Sequence, residues 1–432
     1  MTQAFRYLGD AMAAETVPLA AIADAVGTPV YVYSTAAIVA NYRAYASAFK
    51  DLPVSIFYAV KANSNIAVIA TLAREGAGAD VVSAGELDRA LAAGVPAGRI
   101  VFSGVGKTAS ELARALDAGV YQINVESEAE LEALSAIASA KGVTAPVAFR
   151  LNPDVDARTH AKITTGKSEN KFGIAWDQAP QVFARARELP GIDAHGIAVH
   201  IGSQLLDVAP YREAYTKLAA LAADLRQAGH VISRLDLGGG LGVAYQEDAT
   251  APDPAVLAAV VRDLAGRFDA RLMLEPGRSL IGSAGVLLTR VVYVKKGASR
   301  TFVIVDAAMN DLLRPALYDA YHSIKPVLKP KAGSAVAEVD VVGPVCETGD
   351  TFAVRRPIAP LAEGDLVAIG TAGAYGAAMA STYNARPLVP EVLVDGDRFA
   401  VVRDRVNVKQ MMDWEHMPDW LQRHTADGGG SR

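Results

Sequence analysis

Lys61 stands directly after a short apolar run in YAVKAN, and His200 opens HIGSQ after another. Two further runs of the same kind lead into the glycines 238–240 and into EPGR, residues 275–278. A lone lysine past a strand is most often solvated, so the reading rests on the company it keeps. An imidazole at a strand end can stack on an aromatic ring. Glycines let backbone N–H groups come close to phosphate oxygens. A carboxylate at Glu275 can hold a pyridine nitrogen protonated and so make the ring an electron sink. Together these four strand ends describe a site for a phosphate-bearing pyridine ring anchored by Lys61.

Further residues point to a substrate. Arg278 and Arg314 can each grip a carboxylate bidentately, and Tyr318 lies four residues after Arg314 in NDLLRPALYDA. Glu347 can hold an ammonium, Cys346 precedes it in VVGPVCETGD, and Tyr375 sits in the glycine-rich TAGAYGAAMAS. Two nucleotide motifs fail. GKT at 106–108 and GKS at 166–168 lack the first P-loop glycine, because Val101 and Ala161 occupy that place. GGGLG misses the dinucleotide fingerprint at Val243. No metal site is expected.

Strand ends position side chains only if the strands share one sheet. Short apolar runs over 54–59, 79–82, 100–103, 121–125, 146–151, 196–201, 234–237 and 272–275 alternate with amphipathic stretches such as 64–75, 86–93, 126–141, 211–227 and 254–268. Short strands separated by helices imply parallel pairing with helical crossovers. Eight such units fit an α/β fold, a (β/α)8 TIM-type barrel, whose active sites lie at the carboxyl ends of the strands. Beyond residue 281 the runs 286–295, 301–306, 337–342, 351–355, 365–369 and 391–403 are β-rich and predict a C-terminal, mostly antiparallel β domain. The expected divisions are residues 1–34, a segment packing with the β domain through a strand at 29–34; a barrel over 35–282; the β domain over 283–420; and a disordered tail over 421–432.

Composition bounds the rest. The chain has 432 residues, 51% hydrophobic and 21% charged, with a net charge of −5 and no long run of either sign. That argues against nucleic acid or a membrane surface as a main partner. Cys346 is the one cysteine, so no intrachain disulfide forms. The first residues do not read as a signal peptide, and no apolar stretch reaches the roughly 20 residues of a membrane span. A cytoplasmic protein is expected.

The motifs YAVKAN, ADVVSAGEL, RLNPDVDARTH with TTGKSENKFGI, HIGSQ, LDLGGGLG, EPGRSL, GPVCETGD and AYGAAMAS together resemble the diaminopimelate decarboxylase family, within the fold-type III pyridoxal-phosphate enzymes. The resemblance implies an alanine-racemase type barrel with a β domain and pyridoxal 5′-phosphate as cofactor. Lys61 would be its Schiff-base lysine and His200 would stack on its ring. Asp80, Ser203, Gly239, Gly240, Glu275, Pro276, Gly277, Arg278 and Tyr375 would bind it, with Glu275 on the pyridine nitrogen. Arg278, Arg314, Tyr318, Glu347 and Tyr375 would bind substrate, and Cys346 would be the catalytic proton donor. Cys346 and Glu347 would come from the partner subunit of a homodimer. The implied reaction is decarboxylation of meso-2,6-diaminopimelate to L-lysine, the last step of bacterial lysine biosynthesis.

Sister decarboxylases of ornithine, arginine, lysine or carboxynorspermidine are the nearest alternatives. A diamine end wants carboxylates alone, whereas Arg278, Arg314 and Glu347 mix both signs. A non-catalytic cofactor-binding regulator would have no use for Cys346, Glu347 and Arg314. A cofactor-free sugar-phosphate barrel would leave Lys61 and Glu275 without a shared purpose.

Overall fold

Val54–Ala59, Gly78–Val81, Ile100–Phe102, Gln122–Val125, Ala145–Asn152, Ile192–Ala198, Arg234–Asp236 and Arg271–Leu274 pair in parallel in that order, and the last pairs back onto the first. This closed eight-strand barrel comes from a computed structural model, which describes residues 4–156, 171–246 and 248–422. Most of the loop over 159–172, with the GKS at 166–168, lies outside the described residues, as do positions 423–432 of the expected tail.

Helix boundaries follow from local chemistry. Ser83, Thr108 and Ser127 each accept a hydrogen bond from the backbone three residues on, which satisfies an N–H that the helix itself leaves open. Glu111 completes a capping box with Thr108. Gly119 and Gly142 end their helices in the left-handed region, where a β-carbon is costly. Each helix then lays an apolar stripe on the barrel. Leu131, Leu134 and Ala138 on Glu128–Lys141 are fully buried, and each such leucine contributes about 2 kcal/mol of hydrophobic stabilisation.

The sixth barrel strand ends at Ala198, earlier than the apolar run 196–201 suggests. Val199 still donates to the Asp236 carbonyl, but the neighbouring strand stops there and the ladder has no further partner. His200 therefore stands two residues past the strand, in a loop.

The second sheet runs in the order Thr351–Ile358, Ala337–Val342, Thr301–Val305, Gly285–Lys296, Val30–Ser34, Glu391–Asp395, Arg398–Arg403, with Leu366–Ile369 also paired to Gly285–Lys296 and Ile324–Pro326 paired to Leu366–Ile369. Most pairs are antiparallel, but Thr301–Val305 with Ala337–Val342 and Val30–Ser34 with Glu391–Asp395 are parallel. Val30–Ser34 thus enters this sheet between strands far later in the chain. Sequence patterning overlooked the hairpin Phe5–Leu8/Ala11–Ala14 and the helix Leu19–Val26. Phe5, Met12, Leu19 and Ile22 from these elements pack on Val30, Val286 and Val392.

Two pieces of the β-rich part reach over the barrel mouth. One is the short helix Arg314–Tyr318. The other is the loop carrying Gly373 and Tyr375, which is bonded to the turn that carries Lys61: Tyr375 N–H donates to the Ala62 carbonyl at 2.7 Å and the Asn63 amide donates to the Gly373 carbonyl at 3.2 Å. A side chain at Gly373 would collide with the Ile281 carbonyl, so only glycine allows this approach.

Candidate active site

A cavity of about 580 Å³ opens where these loops meet the carboxyl ends of the barrel strands. Lys61, His200, Ser203, Gly240, Glu275, Gly277, Arg278, Arg314, Tyr318 and Tyr375 all line it. Lys61 lies in the helical turn Val60–Ala62 that follows the first strand. Its Nζ donates to Asp80 Oδ2 at 2.7 Å, and Asp80 is wholly buried at the second strand. Burial works against the ammonium, but the Asp80 and Glu275 carboxylates outweigh it and hold Lys61 above its ordinary range.

Glu275 follows the eighth strand and is 8% exposed. Its Oε1 has no hydrogen-bond partner among the described residues. Its carboxyl also lies within hydrogen-bonding reach of Asp236, at the end of the seventh strand. Burial and then the neighbouring carboxylates push Glu275 well up, and burial pushes Asp236 up too. Asp236 is held in turn by the Asn124 amide at 3.2 Å and the Gly238 N–H at 2.9 Å.

His200 Nδ1 accepts from the Gly239 N–H at 3.2 Å, which leaves the ring proton on Nε2. Burial, then the Arg150 and Lys61 charges, drive this imidazole well below its usual range, so it is neutral. Beside it the glycines are structurally required. A β-carbon on Gly239 would lie 2.0 Å from the Glu275 carbonyl oxygen, and one on Gly240, at φ +104°, would lie 2.2 Å from that of Gly202. Among the described residues the N–H groups of Ser203, Gly240 and Gly277 find no backbone acceptor, which suits a phosphate.

The opposite wall is cationic. Arg278 Nη1 donates to the Tyr245 hydroxyl at 2.5 Å and Nη2 to Ser203 Oγ at 3.2 Å, and its guanidinium lies 4.7 Å from the centre of the Tyr375 ring. Arg314 lies 4.3 Å from the Tyr245 ring centre. Both arginines are buried, and among the described residues neither is paired with a carboxylate.

The family model described as "Pyridoxal-dependent decarboxylase, pyridoxal binding domain" matches residues 35–282. A diaminopimelate decarboxylase of Zymomonas mobilis is 48% identical, over 96% of this chain and 99% of that protein. One from Pseudomonas aeruginosa is 50% identical over the same shares. The chain belongs to the diaminopimelate decarboxylase family. The crystal structure of diaminopimelate decarboxylase from Helicobacter pylori complexed with L-lysine superposes with a TM-score of 0.88 at 40% identity, covering 92% of this chain and 98% of that one. The M. jannaschii enzyme in co-complex with L-lysine gives 0.92 at 35% identity, covering 97% and 99%.

Membership of this family does not place every residue singled out in the sequence. Pro276 and Gly239 are not among the residues that line the cavity, and Asp80 meets it through Lys61. Cys346 and Glu347 do not line the cavity of their own chain. Cys346 is exposed, its N–H bonded to Asn384 Oδ1 at 3.2 Å, and Glu347 accepts from the Tyr383 hydroxyl at 3.1 Å on the same surface. The structure adds Tyr245, Asp236 and His322, which sequence reasoning missed. Asp236 lies inside LDLGGGLG and could have been noticed from that motif. Tyr245 and His322 carry no local signal.

The glycine cradle yields a direct prediction. Gly240→Ala is expected to destabilise the protein by about 2–4 kcal/mol, because the new β-carbon meets backbone rather than a flexible side chain. Urea unfolding of the cofactor-free protein measures the loss, and titration with pyridoxal 5′-phosphate should show weakened binding alongside it. Unchanged values for both would refute the cradle.

Proposed function

We propose that this protein decarboxylates meso-2,6-diaminopimelate to L-lysine and CO2, using pyridoxal 5′-phosphate, as a cytoplasmic homodimer with shared active sites. The residues of the cavity fit that cofactor. Lys61 would hold it covalently, with the N–H groups near Ser203, Gly240 and Gly277 at its phosphate, neutral His200 against its ring and Glu275 Oε1, which has no hydrogen-bond partner among the described residues, at its nitrogen. When bound, the cofactor supplies the electron sink that takes up the electron pair left behind by CO2.

The chain's own groups do the rest. Asp80 orients the Lys61 amine and receives its hydrogen bond. Burial raises both the Asp236 and Glu275 carboxyls, which favours a proton at the place where the ring nitrogen would sit. Arg278 and Arg314 grip carboxylate, and Tyr318 and Tyr375 shape the wall around it. Cys346 from a second copy of the chain gives the Sγ proton that replaces CO2, and Glu347 from that copy holds the distal ammonium.

The observation that carries this reading is the pair of buried arginines, without carboxylate partners among the described residues, on the wall of the cavity that also holds Lys61 and Glu275. Two such cations favour a substrate with a second carboxylate far from the bond that breaks. Release of CO2 from meso-diaminopimelate should exceed that from ornithine, arginine, lysine or carboxynorspermidine by at least about 100-fold in kcat/KM, equivalent to roughly 3 kcal/mol. A preference for any of those four would overturn the substrate, and no CO2 from any of them would leave the regulator reading standing.

A further inference from the structure

His322 is 1% exposed and lies eight residues after Arg314 in the chain, beyond the end of the short helix that begins there. Its Nε2 stands 2.9 Å from Arg314 Nη1, and its Nδ1 stands 2.8 Å from the Gly370 carbonyl oxygen. A guanidinium only donates and a carbonyl only accepts. The two contacts are therefore satisfied together by one form alone: neutral imidazole, protonated on Nδ1, with the Nε2 lone pair turned to Arg314. Burial first, and the Arg314 charge second, push this histidine down to about 3, which agrees with that form.

Tyr245 completes the arrangement. Its ring meets His322 edge-on, with centroids 5.2 Å apart and planes at 75°, and lies 4.3 Å from the Arg314 guanidinium. Its hydroxyl receives the hydrogen bond from Arg278. Arg314 is thus held on one side by a lone pair and on its face by a π system, with no carboxylate among the described residues to neutralise it. A carboxylate at this place would bind the guanidinium as an ion pair and compete with substrate. A neutral acceptor fixes its direction and leaves its charge for the ligand. The side-chain hydrogen bonds of His322 and Tyr245 go to Arg314, Gly370 and Arg278, and none among the described residues goes to Lys61 or Glu275.

We propose that His322 is the positioning residue for Arg314, and that it sets the affinity of the site for the carboxylate that stays on the molecule when CO2 leaves. The inference rests on the reading that Arg314 binds substrate carboxylate. It assigns His322 a role in recognition that acts through Arg314 and not on the reacting bond.

Asparagine and glutamine separate the two ring nitrogens. The asparagine amide reaches the position of Nδ1 and keeps a donor for Gly370, but it leaves Arg314 without its acceptor. The glutamine amide reaches the position of Nε2 and restores an acceptor there. His322→Asn is expected to raise KM for meso-diaminopimelate roughly ten- to hundredfold, the effect of losing a hydrogen bond to a charged group, while kcat changes less than about threefold. His322→Gln should recover most of the KM. In an Arg314→Lys background, His322→Asn should add less than about twofold, because the group it positions is already gone.

Direct binding supplies a readout apart from turnover. By calorimetry on the holoenzyme, His322→Asn should weaken L-lysine, which keeps its carboxylate, by the same roughly ten- to hundredfold factor. It should leave 1,5-diaminopentane, which has none, within about twofold. If both ligands weaken alike, or if the substitution adds its full effect on top of Arg314→Lys, His322 serves only the packing and the proposal fails. If the unmodified protein decarboxylates some other amino acid in preference to meso-diaminopimelate, the substrate reading fails instead, and the two failures are distinct.

Discussion

A Lys61→Ala protein is expected to lose turnover by a factor on the order of 10⁴ or more, since the amine proposed to hold the cofactor, the one that lines the cavity among the described residues, is gone. Borohydride reduction followed by peptide mapping should tag the Lys61 peptide in the unmodified protein and tag none in the variant. The substitution also has a structural cost that the geometry makes visible. Asp80 is wholly buried, its Oδ1 has no hydrogen-bond partner among the described residues, and its Oδ2 is held by Lys61. Removing the lysine strands a buried carboxylate. The Lys61 side chain is 37% exposed to the cavity, so solvent screens part of the effect, and the net loss should be about 1–2 kcal/mol. Adding Asp80→Asn to Lys61→Ala should return most of that stability and none of the activity. A Lys61→Ala protein that kept its turnover would end the cofactor assignment, and full stability without the second change would mean that Asp80 is held otherwise.

The second large effect concerns Cys346. Cys346→Ala should lower kcat roughly 10²- to 10⁴-fold, the range expected for removal of a positioned proton donor. Its place outside the cavity of its own chain makes a stronger test available. Lys61→Ala and Cys346→Ala proteins should each be nearly inactive alone. Mixed in equal amounts and allowed to exchange subunits, half of the dimers would be hybrids, each with one intact site out of two. The mixture should therefore regain about one quarter of the unmodified activity, as a closed two-fold dimer requires. Native mass spectrometry reports whether the hybrids form. If they form and activity stays at the level of the parents, the two residues do not meet across an interface.

Much of the architecture was legible because it is a local property. The run 54–59 became the strand Val54–Ala59 without change, and the stretch 254–268 became the helix Pro254–Phe268. The period of the apolar residues decides such elements. The edges slipped where the ladder ran out, as at Ala198, because the end of a strand depends on the length of its neighbour. The amino-terminal hairpin was missed for a related reason. Phe5–Leu8 and Ala11–Ala14 are short, and they gain their burial from residues near 286 and 392 that no local window contains.

The sequence by itself determined part of the lining of the cavity: Lys61, His200, Gly240, Glu275, Arg278 and Arg314 could each be named because a strand end, a glycine run or a lone charge in an apolar setting marks its own position. Only the tertiary structure decided how those groups are governed. Asp236 comes within hydrogen-bonding reach of Glu275 across two neighbouring strand ends, Tyr245 receives Arg278 from 33 residues away, and His322 couples Arg314 to Gly370, 48 residues further on. A tyrosine or histidine does not announce its partner in the chain, because burial and hydrogen-bond direction exist only once distant segments are packed together. Cys346 shows the same limit from the other side. Its motif suggested chemistry, yet the fold of one chain leaves it on the surface outside the cavity, so the proposed role needs a second copy of the chain.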